Sequence, residues 1–407
     1  MFLKIRNLLF LQGPMILLGL LSTVIITRFY GVAGYGQVAF VIAISNIFAA
    51  VIRYGFDETL IILLNNSDEQ RTLFYSSIMV RSCLYLLATV GLYFGNVFGL
   101  LDVLQVLAIC SFLLVILQVP VIYDFLGKQE KHVVTLIISK LIFCLMVLSL
   151  SSMYFDVLFV FTIASLMSNI GLLALQLRFY LNERPFAPPF SSAQSNVNFM
   201  SRTLLRGNFF VMLASVLSLG MYSVNQILIK DSLSFEVLGV FAIQWQVINI
   251  LLIFMKQVTR AFKPRLAEIK ATASKSFKKL YFAYALTVVL IPCVLSLGIW
   301  MVYADIFGLI FGPQLVGYRG IYLFLCGFLV LRGIQLSLTQ LAYLQKKNRV
   351  VFISNAASLI TLVSCFLYLG SYESLEQAIV VMAIAIMAAI LCLLTLFKTP
   401  KRSKSFV

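Results

Sequence analysis

The chain has 407 residues, of which 61% are hydrophobic and only 11% charged, and its mean hydropathy is +1.01. Soluble domains run near ~45–50% apolar and ~25% charged, so this composition excludes a soluble fold. The formal net charge of +16 would suggest nucleic acid for a soluble protein. Here no nucleic-acid partner is expected, because the cations are sorted to one side of a membrane, where anionic lipid headgroups attract them.

Twelve apolar runs are long enough to cross a bilayer: 8–28, 36–53, 72–95, 102–122, 133–153, 157–180, 206–229, 236–255, 280–303, 319–342, 350–370 and 376–397. About 20 residues at 1.5 Å rise cover the ~30 Å hydrocarbon core. Lys4 and Arg6 before the first run imitate a signal peptide. The run from Leu8 to Phe29 is too long for such a segment and no small-x-small cleavage site follows, so a retained first span is expected. Of the 31 Lys+Arg, 26 collect on one side, in alternate gaps or in the adjoining part of a run, among them Arg53, Lys128, Lys131, eight cations between Lys256 and Lys279, and the last four, Lys398 to Lys404. Only Arg28, Lys230 and Arg319 lie at the other side, and Arg81 and Arg332 fall inside runs. The positive-inside rule then places both termini in the cytoplasm.

Gaps on the far side are short, the longest running from Ala304 to Tyr318. The largest break, 182–205, is rich in Pro, Ser and Asn and reads as a cytoplasmic linker. It separates an N-terminal six-helix lobe, 1–181, from a C-terminal one, 206–397, which a basic cytoplasmic tail, 398–407, follows. The segment Leu60–Leu64 is too short to cross and is expected at the interface. The halves echo each other at an offset of 203: Gly36 and Gly239, Ala39 and Ala242, Asn46 and Asn249, Arg53 and Lys256. Six-span halves in one orientation fit parallel repeats around a central cavity.

The residues that ought not to lie in lipid are the informative ones. A charge at a helix centre costs ~2.5–3.5 kcal/mol on insertion scales. Arginine cannot lose its proton to escape that penalty. Every carboxylate of the chain lies at a boundary, so none is left at the membrane centre for Arg81 or Arg332. Each could snorkel or bond backbone carbonyls, or line a cationic cavity that takes an anionic ligand. Arg332, Gln335 and Thr339 share one helical face, as do Ser165, Asn169 and Gln176, and Ser354, Ser358 and Thr361. Asn46, Asn225, Gln226, Gln244, Gln246 and Asn249 add polar groups, each of which could instead join helices. Guanidinium meets phosphate oxygens two at a time, and amides suit sugar hydroxyls.

Other chemistries find no support. Seven cysteines lie inside apolar runs with no CxxC pair, which indicates neither disulfides nor zinc, and the one histidine, His132, has no neighbouring His or Cys. Metal and cofactor sites are therefore not expected. The glycines Gly31, Gly34 and Gly36 follow no strand and lack dinucleotide-loop spacing, and there is no P-loop. Gly91, Gly95 and Gly99, with Gly308 and Gly312, mark close helix approach or bends, and Pro14 and Pro292 mark kinks.

Three local patterns resemble the polysaccharide-unit flippases, O-antigen type, of the multidrug/oligosaccharidyl-lipid/polysaccharide exporter superfamily. They are Arg28, Gly31, Tyr35 and Gly36 after span 1; Phe125, Gly127 and Glu130 after span 4; and Gly239 and Ala242 opening span 8. The likeness in topology extends over nearly the whole chain. The chain departs from many relatives at the end of span 7, where Asn225 stands in place of an acidic residue and Asp231 lies only at the boundary.

The resemblance implies an all-α, MATE-like transporter, not an enzyme, in the bacterial inner membrane. Its cargo would be a polyprenyl diphosphate-linked anionic oligosaccharide of O-antigen or lipopolysaccharide biosynthesis. Transport would be by alternating access, from the cytoplasmic to the periplasmic leaflet. Membrane lipids, a polysaccharide polymerase and a chain-length regulator are the implied partners of a monomer. The expected substrate-binding residues are Arg28, Arg53, Arg81, Arg332, Gln335, Asn46, Asn225, Gln246, Asn249 and Lys256. Sodium, a proton or the membrane potential are alternative sources of drive. A cation-coupled multidrug antiporter would need acidic residues at the membrane centre, and a polymerase or glycosyltransferase a large external loop; the sequence has neither.

Overall fold

The computed structural model describes residues 2–54, 70–117, 123, 128–182, 194–272, 274–345 and 347–398. The segment 60–64, residues 183–193 of the expected linker, residues 125–127 of the motif after span 4, and the tail beyond 398 lie outside them. Among the described residues the regular structure is helical throughout. The helices are α1 (Phe2–Arg53), α2 (Gln70–Val97), α3 (Val103–Leu113), α4 (Gln129–Ser151), α5 (Val157–Asn182) and α6 (Gln194–Ser232). They continue with α7 (Phe235–Thr272), α8 (Ser274–Met301), α9 (Tyr303–Phe311), α10 (Arg319–Leu344), α11 (Asn348–Leu369) and α12 (Leu375–Lys398). Among the described residues, ten helical segments are long and apolar enough to cross a membrane.

The first of these, Gly13–Arg53, runs for 41 residues, about 60 Å at 1.5 Å each and twice a hydrocarbon core. It is two spans. Gly31 breaks it with φ 73 and ψ 179. A Cβ there would meet nothing within 4 Å, so the backbone conformation, not lack of room, calls for glycine. The Thr23 hydroxyl lies 3.4 Å from the Tyr35 hydroxyl. Twelve residues span about 18 Å of straight helix, so the chain must turn back at Gly31. The short apolar helix α3, prolonged by a 3-10 turn to Leu117, occupies the fourth expected span. Each of the twelve runs expected from the sequence thus coincides with helix among the described residues, α3 being the shortest.

Helix starts explain where several far-side polar residues lie. Asp156 Oδ1 accepts the backbone N–H of Leu158 at 2.8 Å and of Phe159 at 3.4 Å, capping α5. The Asp102 N–H donates to Gln105 Oε1 at 3.2 Å at the start of α3. Ser234 and Ser374 hydroxyls accept N–H groups of Val237 and Gln377 at the starts of α7 and α12. All four helices begin on the cation-poor side. An oxygen acceptor there satisfies otherwise unpaired first-turn N–H groups and complements the helix dipole.

The chain forms two compact units, Met1–Ile227 and Leu228–Val407. In the first, α4 packs on α1 and α5, and α3 packs on α5. Ser139 and Ser168 hydroxyls meet at 2.7 Å across α4 and α5, and Asn169 Nδ2 donates to the Ser111 carbonyl at 2.8 Å. In the second, α8 packs on α7 and α10, while α12 packs on α10 and α11. Tyr281 donates to the Ser337 carbonyl at 3.0 Å, and Ser296 meets the Cys326 thiol at 2.8 Å. Buried polar groups thus join helices whose outer faces are apolar, as at Leu86, Leu87, Leu145, Phe282 and Val294, all exposed to what would be lipid.

The 203-residue echo extends to burial. Val38 and Phe241, Phe40 and Ile243, Val41 and Gln244, Ser45 and Ile248, and Ile52 and Met255 are buried pairs, and Arg53 and Lys256 are both exposed. Corresponding helices of the two units bury the same face.

Candidate functional site

In the first unit the outstanding charged residue is Arg81. It lies eleven residues into α2 and is 1% exposed, the largest among the fully buried side chains. A guanidinium keeps its charge at any accessible pH, so α2 holds a permanent cation inside the protein and away from the acyl chains. Arg332 lies thirteen residues into the 26-residue α10, at its midpoint, and is half-buried. Its Nη1 donates to Gln335 Oε1, the residue one turn on that shares its helix face. Gln335 is 2% exposed. Next to Arg332, a Cβ on Gly333 would come within 3.1 Å of the Val289 side chain and 3.4 Å of the Val288 carbonyl. Glycine therefore lets α8 and α10 approach closely beside the guanidinium.

The other expected site residues divide by exposure. Asn225 is fully buried, Asn46 and Gln246 are half-buried, and Arg28, Arg53, Asn249 and Lys256 are exposed. A direct hydrogen bond unites Arg332 and Gln335. Of the polar face expected on span 6, Asn169 is used in bonding α3, whereas Gln176, 1% exposed, has no hydrogen-bond partner on either amide atom. On span 11, Ser354 bonds its own helix through the Val351 carbonyl.

Two features depend on contacts that sequence spacing does not report. Gln244 Nε2 donates to the Tyr303 hydroxyl at 2.7 Å and to the Tyr318 carbonyl at 3.1 Å, and the Tyr303 hydroxyl donates on to the Leu315 carbonyl at 3.1 Å. This chain of bonds ties α7 to the segment between α8 and α10, which by sequence alone is a plain connection. Its apolar side stacks Tyr303 on Phe307 at 4.2 Å. The second feature is a pocket of about 300 Å³ in the second unit, lined by Leu233, Val237, Tyr318, Ile321, Glu373 and Glu376 among others. Beside it Tyr372 is buried against Phe366, and burial holds its phenol pKa above the usual value, so it stays neutral.

Residues 7–270 match the profile of a family described as polysaccharide biosynthesis protein. The chain belongs to that family. No curated protein matches the sequence. Among solved structures, this family member is similar to an inward-facing multidrug resistance MATE family transporter of the MOP superfamily. The TM-score is 0.70 at 13% identity, over 94% of this chain and 93% of the other. It is similar to the lipid II flippase MurJ in an inward closed conformation, with TM-score 0.69 at 13% identity over 96% and 87%. It is also similar to the MATE multidrug transporter DinF-BH in complex with R6G, with TM-score 0.62 at 16% identity over 95% and 92%. At these identities the likeness establishes the fold, which is MATE-like. This family member is accordingly a multi-pass membrane protein, with ten helical segments among the described residues long and apolar enough to cross.

Proposed function

We propose that this chain is a flippase. It would carry a polyprenyl diphosphate-linked oligosaccharide, an O-antigen or related repeat unit, from the cytoplasmic to the periplasmic leaflet of the inner membrane. The observation that carries the reading is Arg81: a permanent cation buried to 1% exposure within a membrane helix of a polysaccharide biosynthesis family member. Family membership supplies the sugar, and the guanidinium supplies the chemistry for the diphosphate. Charged guanidinium–phosphate bonds are short, directional and about twice as strong as neutral ones. Arg332, oriented by Gln335, is the second phosphate ligand in this reading, and Arg28, Arg53 and Lys256 gather the anion at the mouths. Asn46, Asn225, Gln246 and Asn249 bond sugar hydroxyls along the path. Likeness to a flippase of lipid II supports a lipid-anchored cargo. Both termini are cytoplasmic in this scheme, with a polymerase and chain-length regulator acting on the product at the far leaflet.

Arg81→Ala and Arg332→Ala are each expected to abolish surface polysaccharide in a deletion strain complemented at normal expression, and the Lys variants to restore it in part. Mass spectrometry with an impermeant leaflet probe should find one lipid-linked oligosaccharide accumulating on the cytoplasmic face. Wild-type polysaccharide in both Ala variants refutes the assignment. The likeness to MATE multidrug transporters favours a second reading, export of small drugs, in which deletion sensitises cells to dyes and leaves glycolipids unchanged.

A further inference from the structure

One basic and aromatic cluster in the first unit has no part in the transport scheme above. It lies where α4 and α5 end on the cation-rich side. The Lys128 N–H, just before α4, donates to the Tyr123 carbonyl at 2.8 Å. Tyr123, itself buried, stacks on Phe179 of α5 with ring centroids 4.4 Å apart and planes at 17°. His132 stacks on Tyr123 at 5.0 Å. Two ammonium groups then converge on one ring: Lys128 Nζ is 5.7 Å and Lys131 Nζ 5.6 Å from the centroid of Phe179.

The helix register brings a further group to this level. Ser139 faces Ser168 across the antiparallel pair α4 and α5. Eight residues toward the cation-rich side on each helix lead to Lys131 and to Gln176. Gln176 also precedes Phe179 by three residues, which puts both on one face of α5. Its amide is 1% exposed and neither polar atom has a partner. A buried amide with both atoms unsatisfied is rare in folded proteins and calls for an explanation such as a bound group.

We infer that this cluster binds an anionic phosphate group presented at the membrane surface, the headgroup of a lipid. The depth fits. The candidate spans here begin at Glu130 and end at Phe179, so the two lysines stand at the level of headgroups. The chemistry fits as well. Ammonium groups meet phosphate as point charges, and an aromatic face that attracts them limits the positions they sample before the ligand arrives. The Gln176 amide offers donors to phosphate or glycerol oxygens. The inference does not depend on whether the chain carries a lipid-linked sugar.

The test uses the full-length protein in nanodiscs of phosphatidylcholine with phosphatidylglycerol, with retained lipid counted by native mass spectrometry. Attraction of roughly fivefold for each lysine near a membrane surface predicts about a 25-fold loss of retained phosphatidylglycerol in Lys128→Gln/Lys131→Gln. Gln176→Leu should lose several-fold with both lysines intact, and Lys131→Arg should retain binding. Lys278→Gln/Lys279→Gln, which removes two exposed cations elsewhere, should change nothing. An equal loss in that control means a general basic surface and overturns the site, as does no loss in the first double variant. Oleate retained as well as phosphatidylglycerol overturns the phosphate. Inorganic diphosphate added to the same nanodiscs separates the sources. Displacement of lipid means that the phosphate alone is read, and a soluble ester is then the physiological ligand. Resistance means that the lipid anchor is needed. Lys131→Gln, at an exposed position, carries the test if the double variant does not purify.

Discussion

Gln335→Glu separates the charge of Arg332 from its packing. Gln335 accepts a hydrogen bond from the Arg332 guanidinium and is 2% exposed, so a carboxylate at the same atoms would keep that contact and strengthen it. The new anion would also cancel the charge on which the flippase reading depends. A phosphate about 4 Å from a guanidinium gains roughly 4 kcal/mol at an effective dielectric near 20. Losing about 3 kcal/mol of this lowers affinity on the order of 100-fold, since 1.36 kcal/mol is tenfold. The companion Gln335→Leu keeps the charge and removes the acceptor, at a cost of about 1.5–3 kcal/mol in stability for a hydrogen bond to a charged group. The assays are thermal unfolding of the purified proteins and surface polysaccharide in the complemented deletion strain. The expected pattern is crossed: the Glu variant melts at or above the wild type and exports nothing, while the Leu variant melts lower and exports in part. A Glu variant that exports at the wild-type level at equal abundance would show that the positive charge of Arg332 is not used on the cargo.

Three further outcomes follow from the packing and the topology. Gln244→Leu removes the donor to Tyr303 and Tyr318, so melting should reveal a loss of about 1–3 kcal/mol; an unchanged melting point would dismiss this tie as incidental. Gly333→Val forces side-chain atoms against Val289 and the Val288 carbonyl and should destabilise by roughly 1–3 kcal/mol. Gly327→Ala, where a Cβ meets nothing within 4 Å, should be silent in the same melt. On a cysteine-free background, an impermeant thiol reagent should label Lys230→Cys in intact cells and Lys279→Cys only after lysis, and the reverse pattern would invert the topology.

Most of the fold was legible because membrane crossing is a one-dimensional property. Length and hydropathy placed the spans; the sides rest on charge alone. The exceptions have local causes. Spans 1 and 2 run on without an intervening loop because Gly31 interrupts helical geometry for a single residue. The connection after span 9 holds a helix because Tyr303, Phe307 and Phe311 recur every four residues and bury one face. Too short to cross, that pattern was lost beside the long runs.

The candidate site was legible only where its contacts are local. Arg332 and Gln335 are three residues apart on one helix, so spacing alone makes them neighbours, and a hydrogen bond joins them. Gln244 was visible as a polar residue in an apolar run, yet its partners lie 59 and 74 residues further on, and no periodicity reports such a pairing. Asn169 carries the same lesson from the other direction. Its spacing from Ser165 and Gln176 correctly put the three on one face, but the face alone does not say what it meets. Asn169 meets a carbonyl 58 residues earlier in the chain, while Gln176, two turns on, has no partner. In a membrane helix the same amide serves either to join helices or to receive a ligand, and the difference lies in whether a neighbouring backbone comes within reach. That is a tertiary fact, and it is why a polar stripe in such a sequence nominates candidates whereas the unspent hydrogen bonds select among them.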